Sequence, residues 1–293
     1  MRTLTLGLAL GGGGTKGAAH VGVMRVLDDA GIKVDAVAGT SIGSLYGGLY
    51  AVGRTSKEMD EGIRDCPRGE LIAFFRHRLK IRDDNRLSRR FYEALVGQHI
   101  ENLPIKFAAT ASDIEKRCSF AITHGPIIDA IEASIAIPII ARPVAHQGRY
   151  LLDGGFWDAA PVDAAHALGA DVIVAVELGH PYTLPEPLRR AATGFASRLE
   201  FVGLKRTASG VPFAIHAAAE AIRPGRTAHV VLRPNVGGIA PTPGYMIRYL
   251  EAGIAAAQEA LPAIRALLAG ESPVTVAQEY APASAALPDL GLA

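Results

Sequence analysis

The sequence predicts an α/β protein whose mainly parallel central sheet is flanked by helices in a three-layer α/β/α arrangement. Three observations support this fold class. Short apolar runs alternate with amphipathic segments of helical length, glycine clusters separate them, and 49% of the 293 residues are hydrophobic. Strands that alternate with helices along a chain are typical of parallel sheets with right-handed crossover connections. A chain of this length can bury a large core as one unit.

The first four elements follow from the order of apolar and small residues. Leu4–Leu10 is an apolar run that lacks a signal-peptide cleavage site and leads directly into glycines, which favours a buried strand. Residues 18–30 carry apolar side chains at helical spacing, and Gly31 stands where a left-handed C-cap belongs. Residues 34–39 predict a second strand, and residues 42–52 predict a second helix.

The rest of the chain repeats this alternation, with helical insertions expected at about residues 55–103 and 180–224. Further strands are predicted at residues 107–111, 120–123, 150–152, 172–178 and 228–232, and further helices at residues 127–134, 162–168 and 245–268. Residues 1–270 are therefore expected to form one domain. Residues 271–293 are rich in Pro and Ala and have too little apolar content to pack, so we expect a flexible tail.

Charge and composition exclude several classes of protein. The 30 basic and 29 acidic side chains give a formal charge of +1, which argues against a nucleic-acid binder because phosphate neutralisation needs a basic excess. Two cysteines cannot form a disulfide scaffold, and few histidines lie near them, so neither a metal site nor another cofactor is predicted. A reducing, cytoplasmic setting is expected. No apolar run reaches the length of about 18 residues that a membrane-spanning helix requires.

Ser41 is the candidate nucleophile. Gly39-Thr40-Ser41-Ile42-Gly43 fits the pattern G-x-S-x-G and lies between a predicted strand and a predicted helix, as that motif requires. A nucleophile on such a strained turn needs Gly39 and Gly43, because a Cβ at either position would clash with the neighbouring strand and helix. The N–H group of Ile42, at the start of a helix, can also stabilise developing negative charge.

A second glycine cluster, from Gly12 to Gly17, ends the first strand and opens the first helix, where exposed N–H groups can face an anion. It does not fit the phosphate-binding P-loop, because Lys16 precedes Gly17 rather than a hydroxyl residue. It does fit the dinucleotide pattern G-x-G-x-x-G, although the second strand lacks a closing acidic residue: Asp35 lies at its beginning. The third interpretation is an oxyanion hole that faces Ser41.

A serine nucleophile needs a base, and Asp153 is the best placed candidate. It follows the apolar run Arg149–Leu152 and precedes Gly154 and Gly155, so its carboxylate is expected at a strand end on a tight turn. A Ser-Asp-His triad with His166 or His216 is the alternative, although both histidines lie inside predicted helices.

Three motifs together resemble the signature motifs of the patatin-like phospholipase family. They are GGGTKG at residues 12–17, GTSIG at residues 39–43 and DGG at residues 153–155, in the order and spacing of the compact bacterial members. The resemblance covers about residues 4–178, and supporting stretches lie at residues 133–144 and 161–178.

This resemblance implies a patatin-type fold and a lipid acyl hydrolase with a Ser-Asp dyad, acting on a phospholipid, a lysophospholipid or another fatty-acyl ester. Carried over by position, Ser41 is the nucleophile, Asp153 is the general base, and the amides of Gly12, Gly13 and Gly14 form the oxyanion hole. Ile139-Ile140 departs from the family, in which many members have a glycine. Two hypotheses from other classes stay open, an NAD(P)-binding oxidoreductase and a catalytically silent binding module.

A basic run between Arg76 and Arg90 is the last feature that points to a partner. Two acidic residues lie within it, and its seven basic residues are Arg76, Arg78, Lys80, Arg82, Arg86, Arg89 and Arg90. A solvated helical face is the simpler interpretation. The alternative is a basic cap near the mouth of the active site, which would draw the protein into peripheral contact with anionic membranes.

Overall fold

The computed structural model describes residues 4–67, 86–137, 141–179, 227–237 and 242–271. The predicted insertion at residues 180–224, residues 272–293 of the predicted tail, and residues 76–85 of the basic run lie outside the described residues. So does the predicted family departure at Ile139-Ile140.

A central sheet of eight strands organises the described residues. The strands, in chain order, are β1 (Leu6–Leu10), β2 (Ala36–Thr40), β3 (Lys106–Asp113), β4 (Cys118–Ile122), β5 (Val144–His146), β6 (Arg149–Asp153), β7 (Val172–Val176) and β8 (Val230–Leu232). Parallel pairing joins β8, β7, β1, β2 and β3 in that order, whereas β4 and β6 are antiparallel to β3 and β5 is antiparallel to β6. The sheet is therefore mainly parallel, as predicted.

Helices cover both faces of this sheet. They are α1 (Ala18–Asp29), α2 (Ile42–Ala51), α3 (Ser56–Arg64), α4 (Arg86–Leu95), α5 (Ile127–Ser134), α6 (Val162–Ala167) and α7 (Pro243–Leu268). Large apolar side chains such as Leu6, Leu8 and Leu10 point to the face that α1, α2 and α7 cover. The opposite face is built mainly from alanines, which let the short helix α6 pack closely against it. The α/β fold class is confirmed, and no helix in the described part of the chain is long and apolar enough to cross a bilayer.

One edge of β3 is shared by two strands that meet end to end. Thr40, the last residue of β2, pairs with Thr110 of β3, and Asp153, the last residue of β6, pairs with the next residue of β3, Ala111. Because β4 pairs with the other edge of β3, β2 and β6 must lie on the same edge. The carboxyl end of β2 therefore faces the carboxyl end of β6.

The predicted elements of the first 52 residues are confirmed, with strand bounds shifted by two residues at most. Gly31 has a φ of 69°, in agreement with its prediction as a left-handed C-cap. Helix α5 has the predicted bounds, Ile127–Ser134. The hairpin of β5 and β6 was not predicted: its turn contains Gln147 and Gly148, both at positive φ, and it adds an antiparallel strand beside the parallel ones.

Candidate active site

Ser41 lies in the sharp turn between β2 and α2, with a φ of 52° and a ψ of −124°. A non-glycine residue held at positive φ costs of order 1–3 kcal/mol, so its surroundings must impose this conformation. A Cβ at Gly43 would lie 2.1 Å from the carbonyl oxygen of Leu10, and a Cβ at Gly39 would lie 2.4 Å from that of Gly43. Both positions require glycine for the steric reason that the sequence predicts.

Hydrogen bonds hold this turn from both sides. The N–H of Ser41 donates to Ser134 Oγ at 2.8 Å, and the hydroxyl of Ser134 donates to the carbonyl oxygen of Thr110 at 2.7 Å. On the other side, the N–H and the hydroxyl of Ser44 both donate to the carbonyl oxygen of Ser41, at 2.8 and 2.6 Å. Sequence reasoning missed Ser134, because only its place at the end of α5 brings it to the turn.

Asp153 is 1% exposed and lies at the end of β6, as the sequence predicts. Its N–H donates to the carbonyl oxygen of Ala136 at 3.0 Å, and its Oδ1 accepts a hydrogen bond from the N–H of Gly155 at 2.9 Å. A Cβ at Gly154 would lie 2.2 Å from the carbonyl oxygen of Thr110 on β3 and 3.0 Å from Thr40 Cγ2 at the end of β2. The Asp-Gly-Gly turn thus packs directly on the end of β2, beside Ser41.

The glycine loop after β1 supplies N–H groups next to this pair. Within the described residues, the N–H groups of Gly13, Gly14 and Ile42 donate to no other protein group. The N–H of Gly12 donates to the carbonyl oxygen of Ala159 at 2.9 Å, which corrects its prediction as an oxyanion donor: this amide anchors the loop. A Cβ at Gly17 would lie 2.4 Å from Ile42 Cγ1, so the loop and the serine turn are in contact.

His20 anchors the same loop from α1, and sequence reasoning missed it. Its side chain is fully buried, and Nε2 lies 2.7 Å from the carbonyl oxygen of Gly11. Burial lowers the pKa of His20 to about 4, partly offset by the hydrogen bond to Gly11. The ring is therefore neutral at pH 7 and donates its Nε2–H to Gly11. A polar residue on the buried face of a predicted amphipathic helix was the available signal.

Asp158 clamps the two strand ends through its main chain. Its carbonyl oxygen accepts a hydrogen bond from Thr40 Oγ1 at 2.8 Å, and its N–H donates to the carbonyl oxygen of Gly154 at 3.0 Å. Burial raises the pKa of its carboxyl group to about 6, which the hydrogen bond from Ser119 partly opposes. The carboxyl group therefore changes its charge close to neutral pH.

Within the described residues, His166 does not reach Ser41 to complete a triad. His166 lies near the end of α6, with Nε2 3.2 Å from the carbonyl oxygen of Thr227, just before β8 begins. Because β8 runs parallel to β2, this contact lies at the end of the sheet opposite Ser41. His216 lies outside the described residues. The described residues thus bring Asp153, not His166, to the serine turn.

A cavity of about 480 Å³ opens beside the serine turn. Gly14, Thr15 and Ile42 line the end next to the turn. From there the cavity extends between α2 and α3, with α4 and the start of α7 at its sides. We call it the α2–α3 cavity. No group of three metal-ligating side chains is assembled anywhere in the described residues.

The chain is similar to several known proteins. Residues 8–166 match the profile of the family described as patatin-like phospholipase. The chain is similar to lysophospholipase NTE1 of Coccidioides immitis, at 33% identity over 190 residues that cover 60% of this chain and 12% of that protein. It is also similar to lysophospholipase NTE1 of Mycosarcoma maydis, at 34% identity over 185 residues that cover 60% of this chain and 10% of that protein. These matches therefore span only about a tenth of the relatives.

The fold is also similar to that of a solved structure. The crystal structure of VipD from Legionella pneumophila superposes with a TM-score of 0.51 at 16% sequence identity, and the match covers 89% of this chain and 67% of that one. At this identity the likeness concerns the fold alone.

Proposed function

The chain belongs to the patatin-like phospholipase family, whose profile matches more than half of it, and on that premise we propose that it hydrolyses acyl esters of lipids. In this proposal Ser41 is the nucleophile and Asp153 is the general base. The amides of Gly13 and Gly14 form the oxyanion hole, and the substrate is a lysophospholipid, a phospholipid or a simpler fatty-acyl ester.

The observation that carries the proposal is the end-to-end meeting of β2 and β6 on one edge of β3. Successive residues of β3, Thr110 and Ala111, pair with Thr40 and Asp153, so the residue after Thr40 faces the aspartate. That residue is Ser41, in the strained conformation that exposes a nucleophilic hydroxyl above a sheet. In this proposal, the register of β2 and β6 on β3 is what brings the nucleophile and the base together.

The proposed reaction has two steps. Ser41 Oγ attacks the ester carbonyl carbon while Asp153 accepts the hydroxyl proton, which then passes to the leaving alcohol, and an acyl-serine remains. Water then attacks this acyl-serine while Asp153 accepts a proton from it, the fatty acid leaves, and Asp153 returns the proton to Ser41 Oγ. The amides of Gly13 and Gly14 stabilise the tetrahedral oxyanion in both steps, and one such donor is typically worth about 2.7–4 kcal/mol of barrier.

The dinucleotide hypothesis is not supported. It requires an acidic residue at the carboxyl end of β2, where this chain has Thr40 and Ser41. Asp35 lies at the other end, where its carboxylate accepts a hydrogen bond from the N–H of Leu6 at 3.0 Å. The family match also favours an ester hydrolase over a cofactor-binding oxidoreductase.

Turnover of p-nitrophenyl butyrate and of a lysophospholipid tests the proposal. We expect the purified protein to hydrolyse both, and Ser41→Ala and Asp153→Asn to reduce turnover at least 10³-fold in folded protein. Full activity of Asp153→Asn would overturn the role of the aspartate. Equal damage by His166→Gln or His216→Gln would replace the dyad with a triad.

We also propose that the protein makes peripheral contact with anionic membranes through α4. Arg89 and Arg90 are exposed on this helix, Tyr92 is 38% exposed, and Arg90 and Phe91 line the α2–α3 cavity. Basic side chains beside exposed aromatic ones suit the surface of an anionic bilayer. In a liposome co-sedimentation assay, binding should rise with the fraction of phosphatidylserine and fall in Arg89→Gln/Arg90→Gln. Binding that is indifferent to anionic lipid would contradict this contact.

A further inference from the structure

We propose that the α2–α3 cavity holds the acyl chain of the substrate and limits the useful length of that chain to roughly eight to ten carbons. Gly62 on α3 is the position that keeps the cavity open to a chain of this length. The inference rests on the proposed function, since the cavity is used only if Ser41 attacks an ester.

The near end of the cavity lies beside the candidate catalytic groups. Ile42 directly follows Ser41, and Gly14 belongs to the candidate oxyanion loop, yet both line the cavity. A carbonyl group held between Ser41 and this loop would therefore place the first carbons of its acyl chain at the cavity entrance.

One face of α2 forms the floor. Ile42, Leu45, Tyr46 and Leu49 follow one another at helical spacing, and all four line the cavity. Buried apolar side chains across the cavity, among them Met59 and Ile63, form the facing wall. These apolar side chains form a path, which we call the channel, along α2 away from Ser41, and exposed charged residues also line the cavity, namely Glu61, Asp65, Arg90 and Glu93.

The length of this channel follows from helix geometry. Leu49 lies seven positions after Ile42, and a helix rises about 1.5 Å per residue, so the apolar floor extends over roughly 10 Å. An extended alkyl chain advances by somewhat less than its bond length of about 1.5 Å per carbon. The floor of α2 therefore covers roughly eight carbons of the acyl chain, and one or two more carbons at the carbonyl end lie between the cavity and Ser41.

Charged and solvent-exposed groups close the far end. Arg54 and Glu58 form an ion pair at 3.6 Å there, and both side chains are about half exposed. Helix α3 begins near this end, since Ser56 Oγ hydrogen bonds to Asp28 at the end of α1. It then runs back along α1, since Asp60 forms an ion pair with Arg25 at 3.2 Å. A methyl group that reached Arg54 would displace water from charges and gain no further burial.

Gly62 leaves open space in the wall. Among the described residues, a Cβ at this position would have Arg90 Nη2 as its nearest neighbour, at 3.5 Å, which is an ordinary contact with a flexible side chain. Its backbone is helical, so a leucine there is compatible with α3 and would project into the channel. The glycine therefore keeps the channel open along its length.

The test measures kcat/KM for p-nitrophenyl esters of two to sixteen carbons in three proteins. These are the wild type, Gly62→Leu, and the control Lys57→Leu, which places the same side chain at an exposed position of α3 that does not line the cavity. Circular dichroism confirms that each variant is folded.

We expect the wild-type value to rise about two- to fourfold per methylene up to eight to ten carbons and then to level off. In Gly62→Leu the ratio of the ten-carbon to the four-carbon ester should fall at least tenfold, while Lys57→Leu keeps the wild-type ratio. A wild-type profile that still rises at sixteen carbons, or an unchanged ratio in folded Gly62→Leu, would overturn the inference.

A binding measurement separates this inference from the proposed function. Decanoate and butyrate are titrated calorimetrically into wild type and Gly62→Leu, which requires no turnover. Tighter binding of decanoate by the wild type, weakened at least tenfold in Gly62→Leu, supports the acyl channel even if no ester is hydrolysed. Equal binding of decanoate by the two proteins overturns it, even if esters are hydrolysed.

Discussion

The backbone N–H of Ser41 donates a hydrogen bond to the side chain of Ser134, which lies 93 residues further along the chain. Ser134 in turn donates to the carbonyl oxygen of Thr110, the residue of β3 that pairs with Thr40. One buried hydroxyl therefore joins the strained serine turn to the strand on whose edge Asp153 is held.

Ser134→Ala should leave the N–H of Ser41 and the carbonyl of Thr110 without this partner. A buried polar group left without a hydrogen bond costs about 1–3 kcal/mol, and urea denaturation should show a loss of that size. We also expect kcat to fall about tenfold with little change in KM, because the turn is less well held. Ser112→Ala is the matched control: Ser112 is fully buried on β3, the strand of Thr110, and its hydroxyl has no partner among the described residues. Equal effects of both variants would refute the bridging role.

Gly43→Ala should destabilise the protein severely. The added methyl group would lie 2.1 Å from the carbonyl oxygen of Leu10, and neither backbone can move without disturbing β1 or α2. We expect a loss of roughly 3 kcal/mol or more, or no folded protein at all, by thermal denaturation. Gly244→Ala, in the first turn of α7, should fold normally, because no described atom lies within 4 Å of the added methyl group. A folded, active Gly43→Ala would contradict the steric account of the serine turn.

His20 should make the protein less stable in acid. Its pKa is lowered from 6.5 to about 4, so the unfolded chain binds a proton on His20 more readily than the native protein does. Its contribution to stability is complete above pH 6.5 and is lost as the pH falls towards 4, by about 3 kcal/mol. Comparing wild type with His20→Gln by denaturation at several pH values isolates this contribution, with the exposed His124→Gln as control. A pH-independent difference between wild type and His20→Gln would disprove it.

Asp158 should affect the pH dependence of stability in the direction opposite to that of His20. Burial raises the pKa of its carboxyl group to about 6, so its contribution to stability is present at low pH and is lost as the pH rises through 6. Asp158→Asn removes the charge but keeps the main-chain hydrogen bonds to Thr40 and Gly154. We therefore expect this variant to gain stability relative to wild type between pH 5 and pH 8. If the difference in stability between Asp158→Asn and wild type were the same at pH 5 and pH 8, the raised pKa of Asp158 would be contradicted.

The N-terminal half of the fold was predictable because its signals are local. The apolar run before Gly12, the amphipathic segment before Gly31 and the G-x-S-x-G pattern each lie within a few residues of the structure that they specify. The same holds for Ser41, whose strained conformation depends on Gly39 and Gly43.

The meeting of Ser41 with Asp153 could not be derived from local patterns. It depends on the antiparallel register of β6 on β3, a long-range pairing that no local pattern specifies. The family resemblance predicted that Ser41 and Asp153 act together, but it gave no physical reason for their being close. For the same reason, the hydrogen bond from Gly12 to Ala159 and the roles of Ser134 and His20 appear only once the chain is folded.

Labelling with a fluorophosphonate probe, followed by peptide mapping, tests the central claim most directly. The account predicts that one adduct forms on Ser41 in the wild type, that Ser41→Ala gives none, and that folded Asp153→Asn is labelled at least 100-fold more slowly. A wild-type adduct on another residue, or Asp153→Asn labelled at the wild-type rate, would contradict it.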